Sequence, residues 1–489
     1  MGSSSVLYVW RRPLGWPWTL VLAITVAFTS SQAWAVEFMA GADISALSEL
    51  EDFGAVYTDG GVSGDAIDIF RDNGVNWFRL RLFVNPTGDG VVVNDLDYTI
   101  ALAQRAKASG GKVLLDFHYS DTWADPGRQT KPAAWSSLSF SELQTRVHDY
   151  TRDAIGDMKD AGVLPDMVQI GNEIANGMLW EDGRLWRAGV SENTEFNNLA
   201  SLISAGINGV KDGAGAGNEP LFMVHHDKGG DWGTTSYYLD QLLPKLQSNG
   251  TDVDVIGYSY YPKWHYDPNT GSGDMDDVQT NLNNTASTYG KPVAIVETGF
   301  PSWGAQWEPE YEFDVSEAGQ GLFLQSLVET VQNVPNDQGL GVFWWYPEAV
   351  ALNTQVNGEW VYEGGRYGLF DDTHDAVPAL DVFEQFLTTG ILGDYSGNNV
   401  VDAADYTTWR NALTAGTSTL LNDPTPGSVT ESDFAYWRAH FGETLGGGAG
   451  SAIASSSQAG VPEPATIYLL TVALCLSFPQ RRCLREPAV

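Results

Sequence analysis

The feature that most constrains this 489-residue chain is a repeated alternation of short apolar runs with helix-like segments. Eight runs have the length of buried strands. The segments between them show helical periodicity and several end near glycine, as at 64–74, 98–110 and 140–162. The predicted strands are EFMAGAD (37–43), NWFRLRLF (76–83), KVLLDFH (112–118), DMVQIGNE (166–173), LFMVHH (221–226), VDVIGYSYY (253–261), KPVAIVE (291–297) and LGVFWWY (340–346).

Eight strand–helix units predict an α/β protein, a (β/α)₈ TIM barrel over residues 36–390. An open doubly wound sheet is the alternative, but no glycine-rich phosphate loop follows the first strand. After the barrel the alternation of strand-like and helix-like segments stops. ADYTTWRNAL (404–413) and SDFAYWRAHF (432–441) match at an offset of 28 residues, which predicts a small duplicated helical module at 391–445. A Gly/Ser/Ala linker follows at 446–460.

Both ends of the chain have the pattern of targeting segments. Arg11 and Arg12 precede an apolar run and a small-x-small site that ends at Ala35, which predicts a signal peptide over 1–35. The sequence VPEP, a short apolar run and a basic end make up residues 461–489. This tail resembles a PEP-CTERM sorting signal and implies membrane contact before processing; a plain hydrophobic anchor is the alternative. We expect an exported protein, extracellular or associated with the cell surface.

The charge balance restricts the partners. The chain carries 26 basic and 62 acidic residues, a formal charge of −36, which disfavours nucleic acid and favours neutral or cationic ligands. Both cysteines, Cys475 and Cys483, lie in the tail, so the predicted folded region has no disulfide and no thiolate nucleophile. The 18 Trp and 20 Tyr supply core packing and, for some of them, surfaces that stack on sugar rings.

Two of the predicted strands end in a glutamate. Strand four ends at Glu173 and strand seven at Glu297. An ionised carboxylate at the end of a buried strand is costly unless it is paired, hydrogen-bonded or used. Catalytic groups of a (β/α)₈ barrel lie at the C-terminal ends of its strands, so both carboxyls are expected at one mouth. A protonated acid beside an ionised nucleophile or base is the chemistry of glycosidic bond cleavage.

Other strand ends add polar and aromatic groups to the same mouth. Arg79 and Arg81 share one face because side chains alternate along a strand. A metal hydrolase is disfavoured because adjacent His225 and His226 point to opposite sides of their strand, and a serine hydrolase lacks its G-x-S-x-G elbow. The strand-end candidates are Arg79, Arg81, Asp116, His118, Asn172, His225, His226, Tyr260, Tyr261, Trp344 and Trp345.

Several of these residues lie in stretches that carry a family resemblance. The stretches are FMAGADIS (38–45), GVNWFRLRLFVNP (74–86), LLDFHYSDTWADPGRQTKPAAW (114–135), VQIGNEIANGMLW (168–180), YSYYPKWH (258–265) and VETGFP (296–301). They cover nearly the whole barrel. The chain resembles the endo-β-1,4-galactanases of glycoside hydrolase family 53, which belong to clan A of the retaining glycosidases.

The resemblance implies specific roles. Glu173 would be the acid/base and Glu297 the nucleophile, with retention of anomeric configuration and no cofactor for catalysis. An arginine of strand two, Asn172 and a tyrosine of strand six would hold the nucleophile ionised and bind the sugar. The choice between Arg79 and Arg81, and between Tyr260 and Tyr261, stays open. Further subsite contacts would come from Tyr119, Asp121, Trp123, Trp264, His265 and Trp345.

The implied substrate is the β-1,4-galactan of pectin-type arabinogalactan. A β-1,4-mannanase or glucanase of the same clan is one alternative. A non-catalytic glycan-binding barrel held at the cell surface is another, and it is disfavoured because binding alone needs neither glutamate.

The first repeat of the C-terminal module has the spacing of an EF-hand calcium loop. Asn399 stands at the position where glycine is usual, and asparagine tolerates a positive φ. An aspartate at the last ligand position resembles type I dockerin repeats. A cohesin-like partner or a cell-surface partner of this module stays an open expectation. The second repeat has Pro424 and Pro426 at ligand positions, so we expect only the first to bind Ca²⁺ tightly. The predicted ligands are Asp394, Ser396, Asn398, Val400 through its carbonyl, Asp402 and Asp405.

Overall fold

The computed structural model describes residues 37–387, 393–396, 400–415, 420, 422 and 429–442. The predicted signal peptide, linker and sorting tail, and Asn398 of the predicted calcium loop, lie outside the described residues. No helix within the described part of the chain is long and apolar enough to cross a membrane.

Eight parallel strands close into a barrel in which each strand pairs with its neighbours in chain order and the last pairs with the first. Each observed strand overlaps its predicted run, which confirms the (β/α)₈ barrel. The strands are β1 Met39–Asp43, β2 Trp77–Leu82, β3 Lys112–Phe117, β4 Met167–Ile170, β5 Leu221–His226, β6 Val255–Tyr260, β7 Val293–Thr298 and β8 Gly339–Trp345.

Helices cover the outside of the barrel. The helices that follow β3 and β4 pack against each other, and Gly209 and Gly213 allow them to approach closely. A Cβ at either glycine would lie 2.5 Å from a backbone carbonyl oxygen of the facing helix. The helices are α1 Leu47–Asp52, α2 Ala66–Asp72, α3 Leu96–Ala108, α4 Phe140–Asp160, α5 Glu192–Ala214, α6 Trp232–Ser248, α7 Pro262–His265, α8 Met275–Tyr289, α9 Glu317–Gln332, α10 Val382–Leu387, α11 Ala403–Ala415 and α12 Glu431–Ala439.

The barrel interior has two layers. Inward-facing side chains near the N-terminal ends of the strands form an apolar cluster, which we call the lower layer. Further along the same strands, two residues later on β2 to β5 and four residues later on β1 and β6, the inward positions carry buried polar groups, which we call the upper layer. The lower layer includes Trp77, Leu114, Met167 and Met223, and the upper layer includes Arg79, Asp116, Gln169 and His225. The fold therefore places its buried polar groups at the C-terminal mouth.

The C-terminal module contains helices α11 and α12, which pack around buried Trp409 and Trp437. The indole N–H of Trp437 donates to the carbonyl of Asp402, and that of Trp409 donates to the carbonyl of Thr430, both at 2.8 Å. Each donor and each acceptor lies 28 residues from its counterpart, so the two sequence repeats make matching hydrogen bonds.

Candidate active site

Glu173 and Glu297 meet at the C-terminal mouth of the barrel. One carboxylate oxygen of Glu173 lies within 4.8 Å of one of Glu297. Glu297 lies within β7, whereas Glu173 follows β4 in a left-handed conformation with φ 47°. A non-glycine residue in this region is strained, and such strain clusters at functional sites. The chain thus bends after β4 in a way that presents the Glu173 carboxyl to the mouth.

Arg79 is the central cation of the site. Its guanidinium contacts Asp43 at 2.6 Å, Asp116 at 3.0 Å and Glu297 at 3.4 Å, and it donates to Asn172 Oδ1 at 2.7 Å. All these side chains are nearly inaccessible to solvent. Burial alone would raise the pKa of Asp116, but the positive charge of Arg79 and the contact with His118 outweigh it and lower the pKa. One guanidinium thus serves three carboxylates.

The two glutamates differ in their surroundings. Burial raises the pKa of Glu297 to about 7, while Arg79 and the Tyr261 hydroxyl, which donates to Oε1 at 3.0 Å, oppose the rise. Burial raises the pKa of Glu173 well above its usual value, and the negative charge of Glu297 raises it further. The arrangement therefore favours one proton on the pair, with Glu297 ionising first and Glu173 retaining the proton.

A neutral histidine supports Glu173 from below. His225 is fully buried, and burial followed by the charge of Arg79 lowers its pKa well below the usual value. Its Nδ1 lies 3.0 Å from Asn172 Oδ1 and 3.2 Å from the Gln169 amide nitrogen, whereas Nε2 faces the Ser259 hydroxyl. The one hydroxyl proton of Ser259 goes to Glu173, so the ring proton of His225 is assigned to Nε2. Nε2 then donates to Ser259 Oγ at 2.8 Å, and Ser259 donates to Glu173 Oε1 at 2.6 Å. A chain of two hydrogen bonds thus orients the Glu173 carboxyl.

Most of the predicted site residues line one open cleft of about 580 Å³ around the two glutamates. Arg81 stacks on Trp123 with its guanidinium carbon 4.5 Å from the ring centroid. Asp116 and His225 lie in the buried layer under the cleft. The predicted residues that line the cleft are Arg79, Arg81, His118, Trp123, Asn172, Glu173, Tyr261, Trp264, His265, Glu297 and Trp345.

Other candidates do not line the cleft, in contrast to the expectation that they contact the substrate. The hydroxyl of Tyr260 donates to the carbonyl of Gly273, so Tyr261 is the tyrosine that contacts the nucleophile candidate. Asp121 accepts backbone N–H groups and organises its loop. The remaining three are occupied by contacts behind the strands: Tyr119 bonds Thr151, Trp344 donates to the Tyr367 carbonyl, and His226 packs on Tyr238.

The sequence interpretation missed several groups of the site. Ser259, Gln169 and Asp43 are inward-facing upper-layer residues, and counting alternate positions along each strand would have found them. Asp227 and Lys228, directly after β5, and Trp360, in the loop after β8, also line the cleft.

One group of possible metal ligands occurs among the described residues, formed by Glu173, His225 and Glu297. Both ring nitrogens of His225 already take part in hydrogen bonds within the site. These bonds make the histidine a support for Glu173 and leave it poorly placed to ligate an ion.

A closed (β/α)₈ barrel with two close carboxyls at strand ends, in an open cleft with aromatic walls, defines a barrel glycosidase. Comparison with protein families agrees. The model of Glycosyl hydrolase family 53 matches residues 39–383, and the chain belongs to this family.

Individual relatives support the assignment. The arabinogalactan endo-β-1,4-galactanase A of Aspergillus niger is 38% identical over 355 residues, which cover 70% of this chain and 93% of that protein. The catalytic domain of the family 53 enzyme from Ignisphaera aggregans aligns with a TM-score of 0.62 and 32% identity, covering 72% of this chain and 97% of that one. A fungal β-1,4-galactanase structure aligns with a TM-score of 0.60 and 34% identity, covering 70% and 98%.

Proposed function

We propose that this protein is an exported, endo-acting galactanase that cleaves β-1,4-galactosidic bonds in galactan and type I arabinogalactan with retention of configuration. The observation that carries the proposal is the close pair of Glu173 and Glu297 at the mouth of a family 53 barrel. Relatives that bear the name arabinogalactan endo-β-1,4-galactanase support the substrate.

The distance between the carboxyls favours retention. Retaining glycosidases hold the two groups about 5–5.5 Å apart, whereas inverting enzymes need about 6.5–9.5 Å to admit a water molecule. One oxygen of each carboxyl lies within 4.8 Å of the other, and this close approach supports the shorter, retaining separation. In the first step, Glu297 attacks the anomeric carbon while Glu173 gives its proton to the departing glycosidic oxygen. In the second step, Glu173 takes a proton from water, whose oxygen displaces Glu297 from the sugar.

The residues around Glu297 and Glu173 support the two catalytic roles in different ways. Arg79 and Tyr261 stabilise the Glu297 carboxylate, so that it is available as the nucleophile near neutral pH. Burial and the charge of Glu297 keep Glu173 protonated as the acid. Trp123 and Trp345, whose ring centroids lie 6.3 Å apart, form an aromatic wall of the cleft on which sugar faces can stack.

Digestion of purified polysaccharides tests the proposal. The full chain is incubated separately with β-1,4-galactan, β-1,4-mannan and β-1,4-glucan, and the products are sized over time. Intermediate galacto-oligosaccharides that appear early indicate an endo-galactanase. Cleavage of mannan or glucan instead would keep the two glutamates and overturn the substrate. Inertness on all three polymers, with retained binding to one of them, would favour a glycan-binding barrel.

We further propose that the C-terminal module binds Ca²⁺ through Asp394, Ser396, Asn398, Val400, Asp402 and Asp405. Asp394 and Asp405 are fully buried, and burial raises the pKa of Asp405, with a contribution from Asp394. A divalent cation would compensate these two carboxylates and suits their oxygen donors. Thermal unfolding of the module with Ca²⁺ and with EGTA should differ, and Asp394→Ala should remove the difference. An equal transition in both conditions would contradict the site.

Export and surface attachment complete the proposal. A signal peptide over 1–35, a cohesin-like partner of the module and a membrane-directed tail at 461–489 are expected from the sequence pattern. Mass spectrometry of the protein secreted by its host should find an N-terminus at Val36. Recovery of the intact N-terminus from the cell interior would overturn the export proposal.

A further inference from the structure

Exposed tryptophans of the described residues concentrate on the loops that follow the barrel strands. Five of them have more than two-fifths of their surface exposed, and these loops surround the catalytic mouth. Trp264 and Trp360 line the cleft, whereas Trp186 lies outside it, in the segment between β4 and α5. The five are Trp186, Trp264, Trp303, Trp307 and Trp360.

Trp186 forms an exposed aromatic pair with Tyr237 of helix α6. Trp186 is 49% exposed and Tyr237 is 45% exposed. Their ring centroids lie 6.0 Å apart, and the ring planes are inclined by 37°. The Tyr237 hydroxyl donates to the Glu192 carboxylate, which fixes the orientation of the tyrosine ring. We call Trp186 and Tyr237 together the outer platform.

The backbone holds Trp186 in a strained conformation. Its φ is 63°, a left-handed value that is strained for a bulky residue and persists only when the surroundings impose it. The side chain of Glu195, only 2% exposed, accepts the backbone N–H groups of Trp186 and Arg187 at 2.9 and 2.8 Å. The indole N–H donates to the carbonyl of Ala175 at 3.3 Å. A buried carboxylate thus fixes an exposed ring on the loop that carries Glu173.

Packing accounts for only one edge of the Trp186 indole, which contacts the buried ring of Phe196 with the two ring centroids 5.5 Å apart. It does not account for the exposed part of the indole or for the exposed, hydroxyl-anchored ring of Tyr237 beside it. Simple coverage of Phe196 needs neither a left-handed backbone nor a second exposed ring. These observations indicate a preorganised contact surface.

We propose that the outer platform binds a segment of neutral polysaccharide outside the catalytic cleft and thereby holds a long substrate chain on the enzyme. Aromatic faces carry partial negative charge and match the C–H faces of sugar rings. The net charge of −36 disfavours anionic polymers. The identity of the polymer, β-1,4-galactan, rests on the proposed function.

Binding without hydrolysis tests the platform directly. The full chain with Glu173→Gln is run in native gels that contain increasing β-1,4-galactan, and its retardation gives an apparent Kd. Adding Trp186→Ala should weaken this Kd about two- to twelvefold, the range expected for losing one aromatic contact. Tyr237→Ala should act in the same direction. Leu322→Ala, which removes a 58% exposed apolar side chain on α9, is the control and should stay near the parental value.

Steady-state kinetics of the active protein distinguishes substrate binding at the outer platform from substrate binding in the cleft. Trp186→Ala should raise KM for long galactan and leave kcat/KM for a short galacto-oligosaccharide unchanged. Unchanged retardation in both alanine variants, or an equal loss on long and short substrates, would overturn the proposal. Failure of the proposed function looks different: the wild type would not cleave galactan. Retardation by galactan that depends on Trp186 would still support the platform in that case.

Discussion

The lower and upper layers of the barrel interior are built on the same strands and differ in what they contribute. On β2, β3 and β5, apolar Trp77, Leu114 and Met223 are each followed two residues later by a polar upper-layer residue, such as Arg79. Burial of the lower layer stabilises the fold by about 25 cal/mol per Å² of apolar surface. The upper layer places one guanidinium among three carboxylates, and such buried ion pairs roughly break even in stability. The upper layer therefore serves the chemistry of the site, and the lower layer serves stability.

The largest expected effect is on activity. Glu297→Gln should lower kcat on galactan by about four orders of magnitude or more, because it removes the nucleophile. Stability should not fall, since burial disfavours the charged form of this carboxyl. Steady-state assays and thermal unfolding measure both effects. If the variant keeps more than a tenth of the wild-type kcat, or unfolds at a much lower temperature than the wild type, the upper layer is not a layer kept for chemistry alone.

A matched pair of substitutions compares the layers directly. Arg79→Met should lower the free energy of unfolding by about 3–5 kcal/mol, because it leaves Asp43, Asp116 and Glu297 buried without their cation. Met223→Leu in the lower layer should cost less than about 1.5 kcal/mol and retain activity. Urea unfolding gives both values. Equal losses from the two substitutions would mean that the upper layer contributes no special electrostatic constraint.

Ser259 is predicted to tune the pKa of Glu173. Its hydroxyl stabilises the ionised form of Glu173 and lowers that pKa, so Ser259→Ala should raise the pKa of the acid. The alkaline limb of the kcat/KM profile should then move to higher pH, with a rate loss of about tenfold or less. Ser259→Thr, which keeps a hydroxyl, is the control and should restore the profile. If the alkaline limb does not move in Ser259→Ala, the group that titrates in that limb is not Glu173.

The smallest expected effect concerns Glu348, a buried carboxyl after β8 whose Oε1 accepts the N–H of Ala46 at 2.9 Å. Burial and then the charge of Asp43 raise its pKa to about 8. The folded state therefore binds the proton more tightly than the unfolded state, and this contribution to stability is lost as pH rises from about 4.5 towards 8. Glu348→Gln should reduce the fall in Tm between pH 5 and pH 8. If Tm falls equally between pH 5 and pH 8 in Glu348→Gln and in the wild type, Glu348 does not cause the decrease.

The sequence predicted the barrel and its two glutamates because strand length and strand ends are local properties. The observed β5, Leu221–His226, coincides with its predicted run, and Glu173 and Glu297 follow from the ends of two apolar runs. The choice between Tyr260 and Tyr261 was open, although counting alternate residues from inward-facing Val255 selects Tyr261.

Other features depend on long-range packing and leave no local pattern. The link from His225 through Ser259 joins three different strand ends. The left-handed conformations of Glu173 and Trp186 are imposed by surrounding contacts, and neither residue type favours that region. Sequence periodicity carries no signal for them.

The stereochemical course of hydrolysis distinguishes double displacement by the two glutamates from inversion. Proton NMR can follow the anomeric signal of the newly formed reducing end while the full chain cleaves β-1,4-galactan, before mutarotation mixes the anomers. Two glutamates that act by double displacement predict that the β-anomer appears first. Initial formation of the α-anomer would show inversion, and would contradict the assignment of Glu297 as nucleophile and Glu173 as acid/base.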